Sequence, residues 1–95
     1  MEWLKLSGHT SDHYCLTYLG MDGSIHLHVH KHALAEEWSM TANGIIEVPE
    51  AKLGTTELAV AKRSALANLR KLAGLLFIAV DSFEKTVTGE LEATN

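Results

Sequence analysis

Two runs of alternating apolar and polar residues, joined by a tight-turn signal, constrain the fold of this chain most strongly. The runs are His13–Gly20 and Ser24–His32, and Asp22-Gly23 between them is a preferred pair for a two-residue hairpin turn. Alternation with a period of two is typical of a β-strand that has one buried and one exposed face. The pattern therefore predicts an antiparallel β-hairpin.

The predicted turn also sets a register for this hairpin. A slip of one residue would exchange the two faces of a strand, so the apolar pattern of both strands restricts the possible registers. With Asp22 and Gly23 at the tip, apolar residues share one face and histidines the other. The predicted pairs are Tyr18 with Leu27, Leu16 with Val29 and Tyr14 with Lys31 on the apolar face, and Leu19 with His26, Thr17 with His28, Cys15 with His30 and His13 with His32 on the other.

A second hairpin is predicted further along the chain. Glu36–Thr41 and Ile45–Val48 flank the turn sequence Ala42–Gly44, in which Asn-Gly is again a strong hairpin signal. The alternative for its first strand is a helical turn over Ala33–Trp38. Pro49–Gly54 is predicted to be a connector. With an edge strand over Glu2–Ser7 and a polar loop over Gly8–Asp12, the sequence predicts an antiparallel sheet of four to five strands.

A helical pattern begins at Thr55 or Thr56, either of which suits the N-cap position. Gly89 suits the position that follows a helix. The fold is predicted to be a single α+β domain, with the sheet over residues 1–50, the helix over 55–88 and an acidic tail over 89–95. One helical stripe, expected to face the sheet, contains Leu58, Ala61, Ala65, Leu69, Leu72, Leu76, Ala79, Phe83 and Val87.

This helix is long for a chain of 95 residues. It would extend about 50 Å at about 1.5 Å per residue, whereas a domain of this size is roughly 30 Å across. One solution is a bend at Gly74, so that the two halves pack as a hairpin. The preferred alternative is a homodimer that covers the apolar outer face at Gly74, Phe77 and Ile78, because exposed apolar patches often mark interfaces.

Charge and composition restrict the classes of partner. Twelve acidic and eight basic residues give a net charge of −4, whereas nucleic-acid-binding proteins usually carry a basic excess, so a nucleic-acid partner is not expected. The apolar run Leu72–Val80 is too short to cross a bilayer. A single cysteine, Cys15, favours a reducing, cytoplasmic compartment. The predicted helix carries four cations that are candidates for a phosphate contact, and the alternative is that they form its solvated face. These cations are Lys62, Arg63, Arg70 and Lys71.

The second hairpin strand carries four histidines on one face, His26, His28, His30 and His32. Imidazole and thiolate are good zinc ligands. The predicted ligand set is Cys15, His28 and His30, with His13 or His32 as a fourth. The favoured interpretation is nevertheless a solvated or partner-contacting face, because this strip contains no carboxylate to orient the rings. A pH-responsive face is a third possibility.

The spacing of His26, His28 and His30 resembles, over about seven residues, the motif of the histidine-triad nucleotide hydrolases. Lys31 and His32 depart from the two apolar residues that the motif places next, and the chain has no room for the upstream half of that fold. The chain is therefore not assigned to that family.

The sequence contains no glycine-rich phosphate loop and no nucleophile elbow. We therefore expect no enzymatic activity and no cofactor, zinc being the one metal considered. The leading hypothesis is a non-enzymatic protein-binding module that acts as a homodimer on a protein partner. Small acidic proteins of this kind often serve as inhibitors or adaptors, and phage-encoded inhibitors of host systems are one example. The alternative is a zinc-binding or pH-responsive protein that uses the histidine-rich strand.

Overall fold

The computed structural model describes residues 2–6 and 11–93, with side chains for 2–6 and 12–90. Five strands form one antiparallel sheet in chain order: β1 (Leu4–Leu6), β2 (Ser11–Gly20), β3 (Gly23–His32), β4 (Ser39–Gly44) and β5 (Val48–Lys52). One helix, α1 (Leu58–Ala93), follows. The predicted α+β class is confirmed. Ser7 of the predicted edge strand and residues 8–10 of the predicted loop lie outside the described residues.

The chain divides into two compact units, with the boundary between Ala65 and Leu66. The first unit contains the sheet and the first two turns of α1. Ala61 and Ala65 in these turns are fully buried, and the Lys62 ammonium lies 4.7 Å from the centroid of the Tyr14 ring. These contacts place the start of α1 against the apolar face of the sheet, whose buried side chains include Leu27, Val29, Met40 and Ala42.

Trp38 fastens the segment that leads into α1. Its backbone N–H donates to the Thr55 carbonyl at 3.0 Å, and its indole N–H donates to the Thr56 carbonyl at 3.2 Å. The Thr55 hydroxyl then accepts from the backbone N–H of Glu57 at 3.1 Å. The threonines predicted to start the helix therefore lie in its lead-in, and the helix begins at Leu58.

The predicted register of the first hairpin is wrong by two residues. Tyr14 pairs with Val29, and Cys15 pairs with His28. The residues at the tip are Met21 and Asp22, one position earlier than predicted. Because the side-chain period of a strand is two, this displacement leaves every residue on its predicted face.

In the observed register, Gly23 lies close to Ile45, which comes from outside the hairpin. A Cβ there would lie 2.8 Å from Cγ1 of Ile45, so Gly23 makes room for that side chain instead of occupying the tip. Gly23 instead pairs with Gly20 across the first ladder rung.

The boundaries of the second hairpin also differ from the prediction. Asn43 and Gly44 end β4, residues 45–47 form the connection, and the predicted connector Pro49–Gly54 is largely β5. Gly44 has φ +112°, and the next backbone N–H, that of Ile45, donates to the Ser24 carbonyl at 2.8 Å. The Asn-Gly pair thus lies where the end of β4 contacts the first hairpin. Residues 33–38 form a turn and bends, not a helix.

Helix α1 is uninterrupted through Gly74 and continues past Gly89 to Ala93. The bent-hairpin alternative and the predicted helix end at Gly89 are therefore wrong. The stripe expected to face the sheet is buried at Ala61 and Ala65, whereas from Leu72 onward its large side chains are exposed. No helix among residues 2–6 and 11–93 has the length and apolar character needed to cross a bilayer.

Candidate functional site

The face of the sheet opposite the apolar core carries five described histidines. His13 comes from β2, and the other four alternate along β3, so that all five rings lie on one side. The His13 Nε2 and His28 Nδ1 atoms are 2.8 Å apart, within hydrogen-bond distance. Farther along the face, the rings of His30 and His32 lie 5.3 Å apart. We call this surface the histidine face: His13, His26, His28, His30 and His32.

Two rings of the histidine face are partly withdrawn from water. Burial lowers the pKa of His28, and the neighbouring imidazoles of His13, His26 and His30 lower it further. Burial also lowers the pKa of His30, and the opposing effect of the Glu50 carboxylate does not restore it. These shifts favour the neutral form of both imidazoles, in which one ring nitrogen keeps its lone pair.

One group on this face brings three metal-ligating atoms together. The Nε2 of His32 lies 3.3 Å from the Glu50 carboxylate, and the Nδ1 of His30 lies 3.7 Å from the same oxygen. All three ligand atoms lie within 4.8 Å of one another. We call this group the His-His-Glu cluster: His30, His32 and Glu50. Among the described residues it is the one group of three or more potential ligands that meets this distance.

The three members of the cluster differ in exposure. The His30 side chain is 11% exposed, whereas those of His32 and Glu50 are 65% and 53% exposed. The His30 Nδ1 atom is buried and has no hydrogen-bond partner among the described residues. A buried polar nitrogen without a partner is unusual in a folded protein and calls for an explanation.

Glu50 lies on β5 next to a β-bulge. One extra residue in β5 lies opposite β4 at Pro49-Glu50. Proline has no N–H to donate and is tolerated on an edge strand or at a bulge, and bulges redirect side chains. Lys52 pairs with Ser39, and Ser39 pairs with His30, so alternation along β5 places Glu50 on the histidine face, two strands from His30 and His32. The bulge turns Val48 back to the apolar face, opposite Ala42. The ladder pairs on either side of the bulge are Met40 with Ala51 and Ala42 with Val48.

The predicted ligand set is only partly assembled. His30 and His32 lie together, but Cys15 and His28 do not join them. The buried Cys15 sulfur lies 3.6 Å from the Thr17 hydroxyl, and His28 contacts His13 instead. The corrected register explains why Cys15 is displaced from His30, because Cys15 lies opposite His28 and His13 lies opposite His30.

Glu50 is the member of the cluster that the sequence interpretation missed. The expectation that no carboxylate reaches the histidine strip is wrong, because it places residues 49–54 in a connector. The available signal was Pro49, which is compatible with an edge strand at a bulge. Extending the second hairpin through Pro49 would have placed Glu50 on a strand of the sheet.

Two open depressions flank the His-His-Glu cluster. One has a volume of about 350 Å³ and is lined by His13, His28, His30, His32, Thr41 and Asn43. The other has a volume of about 550 Å³, and its lining includes His32, Glu36, Glu50 and Lys52. Small solutes can therefore approach the cluster from both sides.

The remaining predicted site residues lie on α1. The Lys62 ammonium lies over the Tyr14 and Trp3 rings, which turns it away from the predicted basic face. The other three cations, Arg63, Arg70 and Lys71, are exposed. In the second unit Gly74 is exposed, and the side chains of Phe77 and Ile78 are 75% and 62% exposed.

No protein-family model, curated protein or solved structure matches this chain. Its role is therefore inferred from the chemistry of its own residues: the apolar surface of α1 and the histidine face.

Proposed function

We propose that the protein is a non-enzymatic protein-binding module of the adaptor or inhibitor class, and that it acts as a homodimer joined through α1. The observation that carries this proposal is the exposure of large apolar side chains in the second unit. Patches of this kind on a protein surface typically mark interaction sites. The exposed residues are Leu66, Leu72, Leu75, Leu76, Phe77, Ile78, Val80, Phe83 and Val87.

The spacing of the apolar residues favours a second copy of this helix as the occupant. Leu69, Leu72, Leu76, Ala79 and Phe83 follow one another at alternating intervals of three and four residues. This is the a/d pattern of a coiled coil, in which each helix supplies the same kind of stripe to its partner. A two-fold axis pairs identical surfaces, so one stripe is sufficient for a dimer. We call these five residues, Leu69, Leu72, Leu76, Ala79 and Phe83, the seam.

The opposite side of α1 is mixed in character. Asp81 and Lys85 form an i,i+4 ion pair at 3.2 Å, and Arg70, earlier in the helix, is exposed on the same side. Phe77 and Ile78 also lie on this side, away from the seam. A dimer formed along the seam leaves these two side chains uncovered, and they are then available to a protein partner.

The mass of the full chain in solution tests the homodimer. We expect light scattering to give twice the chain mass of 10.4 kDa. Leu76→Asp introduces a charge into the seam and should return the monomer mass, because a buried, unpaired carboxylate is strongly unfavourable. Thr88→Asp adds the same charge at an exposed position on the other side of the helix, and it should leave the dimer intact.

Ile78→Asp separates the two possible interfaces. If the seam joins the copies, Ile78→Asp remains dimeric. A dimer that is lost in Ile78→Asp but retained in Leu76→Asp uses the outer face predicted from the sequence, and the seam is then wrong. A wild-type chain with the monomer mass at all concentrations overturns the homodimer altogether. Circular dichroism of each variant verifies that the helix is retained.

A further inference from the structure

We infer that the His-His-Glu cluster is a binding site for a divalent transition-metal ion of the zinc type. This inference is independent of the proposed dimer, because all its residues lie on the sheet. Two imidazoles and one carboxylate are the ligands that such ions prefer. Three protein ligands with one open position are typical of zinc sites that bind water or a further ligand.

Two of the three distances within the cluster are close to the edges of a tetrahedral metal site. Zinc–nitrogen and zinc–oxygen bonds of about 2.0–2.2 Å at tetrahedral angles separate two ligand atoms by about 3.3–3.6 Å. The observed separations from the Glu50 oxygen are 3.3 Å to His32 and 3.7 Å to His30. The third edge, between the two imidazoles, is at most 4.8 Å. His32 is the exposed partner of this pair, and metal binding requires its ring to move closer to that of His30.

The buried His30 Nδ1 supports the same inference. This nitrogen has no hydrogen-bond partner among the described residues, and it points toward the Glu50 carboxylate. A surface pair of His32 with Glu50 alone would leave the His30 nitrogen desolvated without compensation. A metal ion held by all three side chains satisfies this nitrogen.

The arrangement leaves one side of the site open. His32 and Glu50 are mostly exposed, and the two flanking depressions adjoin them. Because the exposed side chains can move while His30 is fixed by burial, His30 provides the rigid part of the site. The ion is therefore expected to exchange readily and to keep a coordination position for water or for a ligand from another molecule.

Calorimetric titration of the untagged, metal-stripped full chain with Zn²⁺ tests the site. We expect about one ion per chain, and Co²⁺ should give the visible absorption of a site with nitrogen and oxygen ligands. His32→Ala and Glu50→Gln should each weaken binding by at least about tenfold, since even residues that only orient a ligand contribute that much. Both positions are exposed, so the fold is expected to survive. His26→Ala, on the same strand and face, is the matched control and should bind as the wild type does.

Two results would overturn the inference. One is the absence of Zn²⁺ binding by the wild-type chain. The other is binding that persists in Glu50→Gln but is lost in His13→Ala, which assigns the ion to the His13 and His28 pair. Light scattering with and without Zn²⁺ accompanies the titration, so that failure of the metal site is distinguishable from failure of the dimer.

Discussion

Gly44 lies where two parts of the backbone approach too closely for a side chain. Its φ of +112° is in a region that residues with a Cβ rarely adopt. A Cβ at this position would also overlap the carbonyl oxygen of Ser24 on β3. The same neighbourhood contains the hydrogen bond from Ile45 to Ser24 that joins the end of β4 to the start of β3. Gly44 is therefore required by both backbone conformation and space.

We predict that Gly44→Ala lowers the free energy of unfolding by more than the roughly 1–3 kcal/mol that backbone strain alone costs. Gly54→Ala is the matched control, because Gly54 also has positive φ, +68°, but a Cβ added there would meet no atom within 4 Å. Gly54→Ala should show the conformational cost alone. Urea denaturation measures the free energy of unfolding of both variants. Equal losses for the two variants would contradict the close approach of Gly44 to Ser24.

The residues of the candidate site were predictable in part. Alternation along β3 was sufficient to place the histidines on one face, because a strand has a fixed period of two. Glu50 was not predictable in the same way. Its position depends on the pairing of β5 with β4 and on contact between strands that are not neighbours in the sheet. The pattern of residues along the chain indicates neither the strand pairing nor this contact.

Among the elements, the first hairpin shows the same difference: the sequence predicted the face of each residue but not the register of the two strands. Its faces follow from the order of apolar and polar residues within each strand. Its register depends on which residues occupy the turn, and in the observed register Gly23 lies against Ile45, which comes from outside the hairpin. The preferred Asp-Gly pair does not occupy the tip, and the displacement by two residues preserved the faces.

Helix α1 contains two glycines, Gly74 and Gly89, at which an added Cβ would meet no atom within 4 Å. Both lie inside the helix. We predict that Gly74→Ala and Gly89→Ala each stabilise the helix locally by about 0.5–1 kcal/mol, because alanine loses less backbone entropy than glycine. Native-state hydrogen exchange of the amides around each position measures the effect.

Gly89→Ala is the sharper of the two changes. If Gly89 instead ended the helix with positive φ, alanine would destabilise it, since that conformation favours glycine. Faster amide exchange in Gly89→Ala than in the wild type would therefore contradict the continuation of α1 to Ala93. Faster exchange confined to Gly74→Ala would contradict the uninterrupted helix at its centre.

For the whole molecule, the apolar stripe of α1 shows that periodicity predicts which residues share a helix face but not what covers that face. The spacing correctly grouped the apolar residues on one side of a helix. It did not report what covers them: Ala61 and Ala65 are fully buried, whereas Leu76 and Phe83 are 56% and 67% exposed. Burial depends on the other surfaces that a stripe meets, and a second copy is one such surface.

Thermal unfolding at several protein concentrations provides a whole-molecule test of that second copy. Unfolding of a dimer releases two chains, so its midpoint rises with concentration. A tenfold increase adds about 1.4 kcal/mol, which for two chains of this size corresponds to roughly 3–6 °C in Tm. We expect this shift in far-ultraviolet circular dichroism of the wild type, where loss of α1 dominates the signal. Leu76→Asp should melt at one temperature at all concentrations, because its seam no longer associates, whereas Thr88→Asp should behave as the wild type does. A wild-type midpoint that is independent of concentration would show that α1 is stable without a second copy.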